Sequence, residues 1–278
     1  MSAEADQDKK GNPLRDLAEP ELRRYFLTKL EEKDSILLCS DYDGTLVGFT
    51  SSPEQTRTPE DVIELLQKAK SRQTLEVAVV SGRSLAELEK LLPIEGITLA
   101  GSHGVEIKFA DGSTYRWEKA KAVETQIEKI RDLLQADFSN WKGILIEDKK
   151  ISVALHYRQF DGSPCEVKNH FEAVVENQVG PKLEVLEGSK LLEIRPRGWD
   201  KGKAVEHLRE RIGRDTAVIY LGDDTTDEDA FEALHSQQDC FSILIGEKGV
   251  KETHAGFRLR SPRQVKSFIR DLISAIEH

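Results

Sequence analysis

Cysteine is scarce in this sequence, and its few positions form no pattern. The 278 residues contain three cysteines, Cys39, Cys165 and Cys240, and no two of them have the C-x-x-C spacing of redox or zinc sites. The composition therefore excludes a disulfide-rich scaffold and predicts a reducing, cytoplasmic compartment. Cys39 lies within an apolar run, where a thiol is typical of core packing rather than of a nucleophile.

Long apolar runs are also missing. No run approaches the roughly 18 residues that a membrane-spanning helix needs. Residues 1–6 are polar and acidic, unlike a secretory signal, and residues 1–13 show no periodicity. We expect residues 1–13 to form a disordered leader. The apolar content of 38% and charged content of 32% are typical of a soluble globular protein, so we expect no membrane partner.

The sequence has no excess of positive charge. Its 40 basic and 50 acidic residues give a net charge of −10. This balance argues against a nucleic-acid partner and against binding to anionic membranes. An anionic substrate would have to be attracted locally, by a few cations and a metal ion, because the long-range field opposes it.

One stretch, residues 37–46, carries the strongest chemical signal. Its sequence is LLCSDYDGTL, an apolar strand that ends at two carboxylates, Asp41 and Asp43, followed by a Gly-Thr turn. Two carboxylates about 4 Å apart repel each other by ~4 kcal/mol at an effective dielectric constant of 20. The pair therefore indicates a metal site, an acid/base pair, or both. The alternative is a surface Asp-Gly turn of a hairpin, which explains Asp43 and Gly44 taken alone.

Alternating strand and helix patterns surround this stretch. Buried strands at 76–80 and 97–100 and helices from Thr58 to Lys70 and over 84–92 predict parallel strands joined by right-handed crossovers. The same logic returns after residue 200, with a helix over 201–212 and a strand over 216–221. We therefore predict an α/β core with a doubly wound parallel sheet, formed by residues 14–108 and 197–278.

The segment between these two parts has another pattern. Two alternating runs flank Asp111-Gly112, and short strands and two helices follow up to residue 195. Short connections force antiparallel neighbours, which a parallel sheet does not accommodate. We therefore predict an inserted α+β domain over residues 109–196, an antiparallel sheet backed by two helices.

Three of the predicted parallel strands end in polar residues that carry chemistry. A parallel sheet aligns the carboxyl ends of its strands, so these residues should converge with Lys201, which begins a helix. They are Asp41 and Asp43, Ser81, and the aspartates 223, 224 and 227. Aspartates without histidine or cysteine select a hard cation such as Mg²⁺. Asp41 and Asp223 would bind it through carboxylates and Asp43 through its backbone carbonyl. The alternative for residues 223–229 is a set of acids at a helix N-terminus, and we assign Asp229 to that role.

These motifs resemble those of the haloacid dehalogenase superfamily of phosphatases, and the insertion lies where that superfamily places its C2-type caps. Within the superfamily the chain is similar to the trehalose-6-phosphate phosphatases, from about residue 35 to residue 275. The motifs that carry the resemblance are DYDGTL at 41–46, VSGR at 80–83, GSHG at 101–104, HYR at 156–158, EIRP at 193–196, WDKG at 199–202 and GDDTTDEDAF at 222–231.

The resemblance implies a role for each of these core residues. Asp41 would attack phosphorus and form an aspartyl-phosphate, and Asp43 would protonate the departing sugar oxygen and later activate water. Mg²⁺, Ser81 and Lys201 would bind the phosphoryl oxygens. Asp224 and Asp227 would orient the metal ligands and Lys201 without contacting the substrate.

The resemblance also implies that the inserted domain selects the sugar. The implied substrate-binding residues are Glu187, Ser189, Lys190 and Glu193, with Arg83, His103 and Arg158 as further candidates. Two alternatives stay open here: Lys190 and Glu193 as solvated strand residues, and Arg83 in a structural ion pair.

The predicted function is thus Mg²⁺-dependent hydrolysis of trehalose 6-phosphate. Another sugar phosphate, such as sucrose 6-phosphate or a glycosylated glycerate phosphate, is an alternative substrate. A non-catalytic sugar-phosphate sensor is a third possibility, but such a protein is expected to lack one of the catalytic residues, and all are present. The sequence does not indicate whether a trehalose-6-phosphate synthase is a partner.

Overall fold

The computed structural model describes residues 14–48, 57–188, 190–246 and 252–276. The predicted leader, residues 1–13, lies outside the described residues. The strands are β1 (Arg15–Asp16), β2 (Ile36–Ser40), β3 (Leu75–Val80), β4 (Thr98–Gly101), β5 (Glu106–Lys108), β6 (Thr114–Arg116), β7 (Leu145–Asp148), β8 (Val153–His156), β9 (Leu183–Gly188), β10 (Leu191–Pro196), β11 (Ala217–Gly222), β12 (Cys240–Ile245) and β13 (Phe257–Leu259). The α-helices are α1 (Pro20–Glu31), α2 (Glu60–Lys70), α3 (Leu85–Leu91), α4 (Glu124–Asp137), α5 (Pro164–Val175), α6 (Lys201–Ile212), α7 (Glu228–Leu234) and α8 (Pro262–Ala275).

The chain divides into two compact units. The first consists of residues 1–115 and 200–278, and the second is Arg116–Trp199. None of the helices within the described ranges combines the length and the apolar character that a membrane span requires.

The first unit is built on a nine-stranded sheet with the order β1-β13-β12-β11-β2-β3-β4-β5-β6. The strands from β1 to β4 in this order pair in parallel. Side chains of β2 alternate between two cores, with Ile36 and Leu38 on one face of the sheet and Leu37 and Cys39 on the other. Helices α1, α2, α3 and α8 cover the first face, and α6 and α7 cover the second. The sheet is therefore buried on both faces, as a parallel sheet requires.

The hairpin around Asp111-Gly112 differs from its prediction. It was expected in the inserted domain, but β5 pairs antiparallel with β4 and extends the large sheet at its edge. The reason is the short connection of residues 102–105, which leaves β5 no path except back along β4. The predicted insertion, 109–196, accordingly begins earlier in the chain than the second compact unit.

The second unit contains a four-stranded antiparallel sheet with the order β7-β8-β10-β9. Helices α4 and α5 pack on one face of this sheet. Their buried residues Ile127, Ile130, Val167 and Phe171 share a core with strand residues such as Leu155. Alternate residues of the strands project from the other face, and Glu193 on β10 is one of them.

Candidate active site

Asp41 lies at the carboxyl end of the central strand β2. Its backbone N–H donates to the Leu221 carbonyl at 2.8 Å, which continues the pairing of β2 with β11 by one residue. This register places Asp41 beside the loop that follows β11. The side chain is 5% exposed, so its carboxylate is almost fully removed from water.

Lys201 brings a buried positive charge to the same point. It is the first residue of α6, which follows the N-cap Asp200, whose carboxylate accepts from the Lys203 N–H at 2.9 Å. Lys201 Nζ donates to Asp41 Oδ1 at 2.8 Å and to Asp227 Oδ1 at 2.7 Å, and the lysine is 2% exposed. A fully buried ammonium of this kind is tolerated only because carboxylates surround it.

Asp227 organises the loop between β11 and α7. Its Oδ1 also accepts from the Tyr220 hydroxyl at 2.8 Å, and its Oδ2 accepts from the N–H groups of Asp223 at 2.9 Å and Asp224 at 3.1 Å. A Cβ atom on Gly222 would lie 2.3 Å from Asp227 Cγ, so only glycine fits there. Both oxygens of Asp227 are thus already engaged by the protein.

Asp223 completes an acidic cluster. Thr45 Oγ1 donates to Asp223 Oδ1 at 3.1 Å, which connects this loop with the loop after β2. One carboxylate oxygen each from Asp41, Asp223 and Asp227 lies within 4.8 Å of the others. This all-oxygen donor set fits a hard divalent cation.

The electrostatics of the cluster favour an added cation. Burial raises the pKa of Asp41 well above its usual value although Lys201 opposes this effect. Burial, together with the charges of Asp227 and Asp224, raises the pKa of Asp223 to about 8. Burial alone would lower the pKa of Lys201, but Asp227 and Asp41 raise it well above the ordinary lysine value. One lysine therefore does not compensate the buried acids, and a divalent ion would.

Asp43 and Arg83 form an ion pair through both oxygens of the carboxylate. Arg83 Nε donates to Asp43 Oδ2 at 2.6 Å, and Arg83 Nη2 donates to Asp43 Oδ1 at 2.8 Å. A structural ion pair was one of the two alternatives for Arg83. The role of Arg83 in substrate binding stays a prediction.

Ser81 and Asp224 occupy the ends of their strands as expected. Ser81 is 2% exposed, and its Oγ accepts from the Arg83 N–H at 3.2 Å. Asp224 Oδ1 accepts from the N–H and the hydroxyl of Thr226, at 2.8 and 2.7 Å. His103 is buried in the turn after β4, and its ring lies against Gly82, where a Cβ atom would be 2.9 Å from His103 Cε1.

The predicted sugar-binding residues of the second unit lie in different environments. Glu193 is 1% exposed and accepts from the Ser152 hydroxyl at 2.6 Å and from Lys149 Nζ at 3.0 Å. Glu187 is exposed and forms an ion pair with Lys168. Glu193 is therefore not the solvated strand residue of the alternative interpretation.

The remaining candidates of this unit are less constrained. Lys190 is exposed with a positive φ of 62°, and its Nζ lies 5.6 Å from the centre of the Tyr157 ring. Arg158 is exposed. Ser189 lies outside the described residues.

Sequence reasoning missed three polar side chains of these two groups. Tyr220 lies in an apolar strand, as is typical of a core residue. Only its hydroxyl group, seven positions before Asp227, could have indicated a contact with that aspartate. Lys149 and Ser152 lie in the loop between β7 and β8. Their signal was a polar segment between two short strands, which does not specify a partner.

Comparison with known proteins places the chain among phosphatases. The family model described as "Trehalose-phosphatase" matches residues 39–263. A relative from Arabidopsis thaliana, "Probable trehalose-phosphate phosphatase C", is 31% identical over 254 residues, which cover 87% of this chain and 78% of the relative. A second from the same organism, "Probable trehalose-phosphate phosphatase D", is 34% identical over 252 residues, 86% of this chain and 67% of the relative.

A solved structure shares the fold. The structure of the C-terminal domain of trehalose-6-phosphate phosphatase from C. albicans has a TM-score of 0.79 at 24% identity and covers 94% of this chain and 98% of that one. The predicted fold class, an α/β core with an inserted α+β unit, is confirmed.

Proposed function

The chain belongs to the trehalose-phosphatase family of phosphoric monoester hydrolases, and we propose from this premise that it hydrolyses trehalose 6-phosphate to trehalose and phosphate in a Mg²⁺-dependent reaction of trehalose biosynthesis. The observation that carries the proposal is the buried contact of Lys201 with Asp41, beside the acidic cluster with Asp223. A carboxylate nucleophile, a cation for the phosphoryl oxygens and a metal site are thereby within reach of one another.

Asp41 would act as the nucleophile. One of its carboxylate oxygens attacks phosphorus, the bond from phosphorus to the sugar oxygen breaks, and an aspartyl-phosphate forms. Asp43 gives a proton to the departing oxygen, then takes one from the water that hydrolyses the aspartyl-phosphate, and so Asp41 is regenerated. The support is the strand register, which places Asp41 at the carboxyl end of β2 with Asp43 two residues farther along.

Lys201 and Ser81 would stabilise the charge of the transferred phosphoryl group. Phosphate monoester hydrolysis is among the slowest uncatalysed reactions, so charge neutralisation and positioning must supply most of the acceleration. Lys201 is already desolvated, which strengthens its interaction with an anion. Asp227 fixes Lys201, and Asp224 and Thr226 close the turn that carries Asp223.

Asp41 and Asp223 would hold the metal ion through their carboxylates, and Asp43 through its backbone carbonyl. Asp227 is the weaker candidate because four protein donors already occupy its oxygens. When bound, Mg²⁺ supplies neutralisation of the phosphoryl and aspartate charges. We choose Mg²⁺ because the donors are oxygens alone.

Substrate choice would depend on the second unit. Glu193, with its buried partners Lys149 and Ser152, offers fixed donors and acceptors suited to sugar hydroxyls. Glu187, Ser189, Lys190 and Arg158 remain proposals, as does His103 in the first unit. We also propose a reducing, cytoplasmic compartment, supported by the three free thiols.

The proposal is tested by phosphate release from trehalose 6-phosphate against sucrose 6-phosphate, a glycosylated glycerate phosphate and glucose 6-phosphate. Each assay is run with Mg²⁺ and with a chelator. We expect a preference for trehalose 6-phosphate that requires the metal. A preference for another ester would refute the substrate, and equal activity in the chelator would refute the metal.

A further inference from the structure

We propose that Arg83 is a positioning residue that acts through Asp43: its guanidinium holds the Asp43 carboxylate in one orientation instead of binding the substrate. The inference rests on the proposed function, in which Asp43 exchanges a proton with the sugar oxygen. It assigns Arg83 a part in the cleavage step rather than in affinity.

The geometry of the pair is the first support. Two nitrogens of Arg83, Nε and Nη2, donate to the two oxygens of Asp43 at 2.6 and 2.8 Å. Such a fork fixes the carboxylate plane as well as its position, which a single hydrogen bond does not do. The Arg83 side chain is 10% exposed and that of Asp43 is 28% exposed, so the pair is shielded more than an ordinary surface ion pair.

The backbone of Arg83 is fixed from both sides. Its N–H donates to Ser81 Oγ at 3.2 Å, and its carbonyl accepts from the Ser102 N–H at 2.7 Å. The second contact requires an unusual turn in which Ser102 and His103 have φ values of 49° and 59°. Positive φ at consecutive non-glycine residues is costly, so the surrounding structure must enforce it. The turn thus fixes the backbone position from which the Arg83 side chain extends.

The guanidinium is also positioned by contacts with neighbouring side chains. Its Cζ lies 5.5 Å from the centre of the Tyr42 ring, and Tyr42 is the buried residue between Asp41 and Asp43. Glu87 on α3 lies 3.9 Å from Nη1. The arginine is therefore packed against the segment that carries the reacting aspartates.

This arrangement distinguishes two roles for Arg83. To bind a phosphoryl group with the same fork, Arg83 would have to release both oxygens of Asp43. If it acts through Asp43, its removal affects the step in which the sugar oxygen needs a proton. If it binds the phosphoryl group, its removal weakens the binding of all phosphate esters alike.

The test compares two leaving groups in single-turnover assays with excess enzyme, using wild type, R83Q and R83K. Cleavage of trehalose 6-phosphate produces a sugar alkoxide that needs a proton, whereas p-nitrophenyl phosphate releases a phenolate that does not. We expect R83Q to slow cleavage of the sugar ester at least about tenfold and of the aryl ester less than about twofold, because general acid catalysis contributes roughly 10²–10⁴-fold. The enzyme concentration that gives half of the maximal single-turnover rate should change little for either ester. R83K keeps the charge but not the fork, so it should restore only part of the rate.

Two controls complete the design. E87Q changes the other acidic neighbour of Arg83, and since glutamine also forms the capping box with Ser84, it should behave as wild type on both esters. In a D43N background, R83Q should have no additional effect, because the group through which it acts is gone.

An equal rise of the half-saturating enzyme concentration for both esters, or additive effects of R83Q and D43N, would assign Arg83 to phosphate binding. Unchanged rates in R83Q would leave the ion pair purely structural. If wild type hydrolyses a different sugar phosphate instead of trehalose 6-phosphate, the proposed substrate fails while the Arg83 comparison proceeds with that ester.

Discussion

Lys201 donates a hydrogen bond to Asp41 at 2.8 Å, and both residues are buried although α6 and β2 are far apart in the sequence. The positive charge of Lys201 opposes the rise in the pKa of Asp41 that burial causes, but the pKa stays well above its usual value. Asp41 thus remains dependent on charge neutralisation. Mutations at Asp41 can therefore change the activity of the site without a comparable change in the stability of the fold.

D41N should abolish phosphate release while preserving the fold. Asparagine has the shape of aspartate but is not a nucleophile, so we expect turnover to fall by roughly 10³-fold or more. Stability should change little, because burial already disfavours the charged form of Asp41 and Lys201 keeps its bond to Asp227. We expect a Tm within about 4 °C of wild type, the shift that ~1 kcal/mol produces in a chain of this size. Phosphate release and thermal melts measure the two effects.

D229N is the matched control for D41N. Asp229 lies in the first turn of α7, where we assign it to the helix terminus rather than to the reaction. The same chemical change there should leave turnover near the wild-type rate. Inactive D229N, or D41N with ordinary turnover, would contradict the assignment of the nucleophile.

G44A should disable the acidic cluster. Gly44 has a φ of +87°, and a Cβ atom there would lie 2.1 Å from Asp223 Oδ2, so the carboxylate has to move. Since misplacement by about 1 Å can cost roughly 10²-fold in rate, we expect a loss of that order. Phosphate release and Mg²⁺ titration give the measurement.

G112A isolates the clash from the backbone strain. Gly112 has a similar φ of +82°, but among the described residues no atom apart from those of its two chain neighbours lies within 4 Å of the position of its Cβ. Both variants should lose stability by about 1–2 kcal/mol from the left-handed conformation. Comparable activity of the two variants would show that the approach of Gly44 to Asp223 is unimportant.

The metal-free protein should lose stability as the pH rises from about 5 to 8. The pKa of Asp223 is raised to about 8 in the folded chain and is about 3.9 when unfolded. Between these values the folded state binds the extra proton, so the unfolding free energy falls with increasing pH. Urea titrations in a chelator at several pH values measure the slope, and D223N should reduce it. A steeper slope in D223N would contradict the assignment.

Mg²⁺ affinity should depend on the same proton of Asp223, but it should increase as the pH rises. Below pH 8 the cation has to displace the proton of Asp223. The apparent dissociation constant should therefore rise by about tenfold for each unit by which the pH is lowered. Calorimetry at pH 6, 7 and 8, in buffers that differ in ionisation enthalpy, counts the released proton. Constant affinity over this range would rule out Asp223 as the displaced acid.

The convergence of the core residues was predictable because a parallel sheet imposes it. Strands β2, β3 and β11 are neighbours with aligned carboxyl ends, so Asp41, Ser81 and Asp223 had to lie at one edge. Sequence patterns identify such strands well, since a strand buried on both faces is apolar throughout.

Contacts formed by single polar atoms were not predictable. A threonine followed by proline, as at residues 58 and 59, is typical of an N-cap and the first helical position. The Thr58 hydroxyl nevertheless donates to the Leu91 carbonyl at 2.5 Å, and α2 has no side-chain cap. The fork between Arg83 and Asp43 is likewise accompanied by a left-handed turn at Ser102 and His103, a conformation that serine and histidine do not favour and that local residue preferences do not predict. Tertiary packing decides these contacts, and local sequence does not contain it.

Y220F should destabilise the protein through Asp227. The Tyr220 hydroxyl and the Asp227 carboxylate are both fully buried, and their hydrogen bond measures 2.8 Å. Phenylalanine would remove one of four donors from a buried carboxylate, which costs about 1.5–3 kcal/mol for a bond to a charged group. Asp227 would keep its bond to Lys201, so we expect turnover to decrease less than in D41N. Urea unfolding of both variants measures the difference.

Y25F provides the comparison that separates this bond from the loss of any tyrosine hydroxyl. Tyr25 is 56% exposed on α1, where surface substitutions usually change stability by less than about 0.5 kcal/mol. If Y220F were as stable as Y25F, the bond to Asp227 would contribute nothing. A clear deficit in Y220F alone means that the loop carrying Asp223 and the ammonium of Lys201 are anchored together, through one carboxylate, to the interior of the sheet.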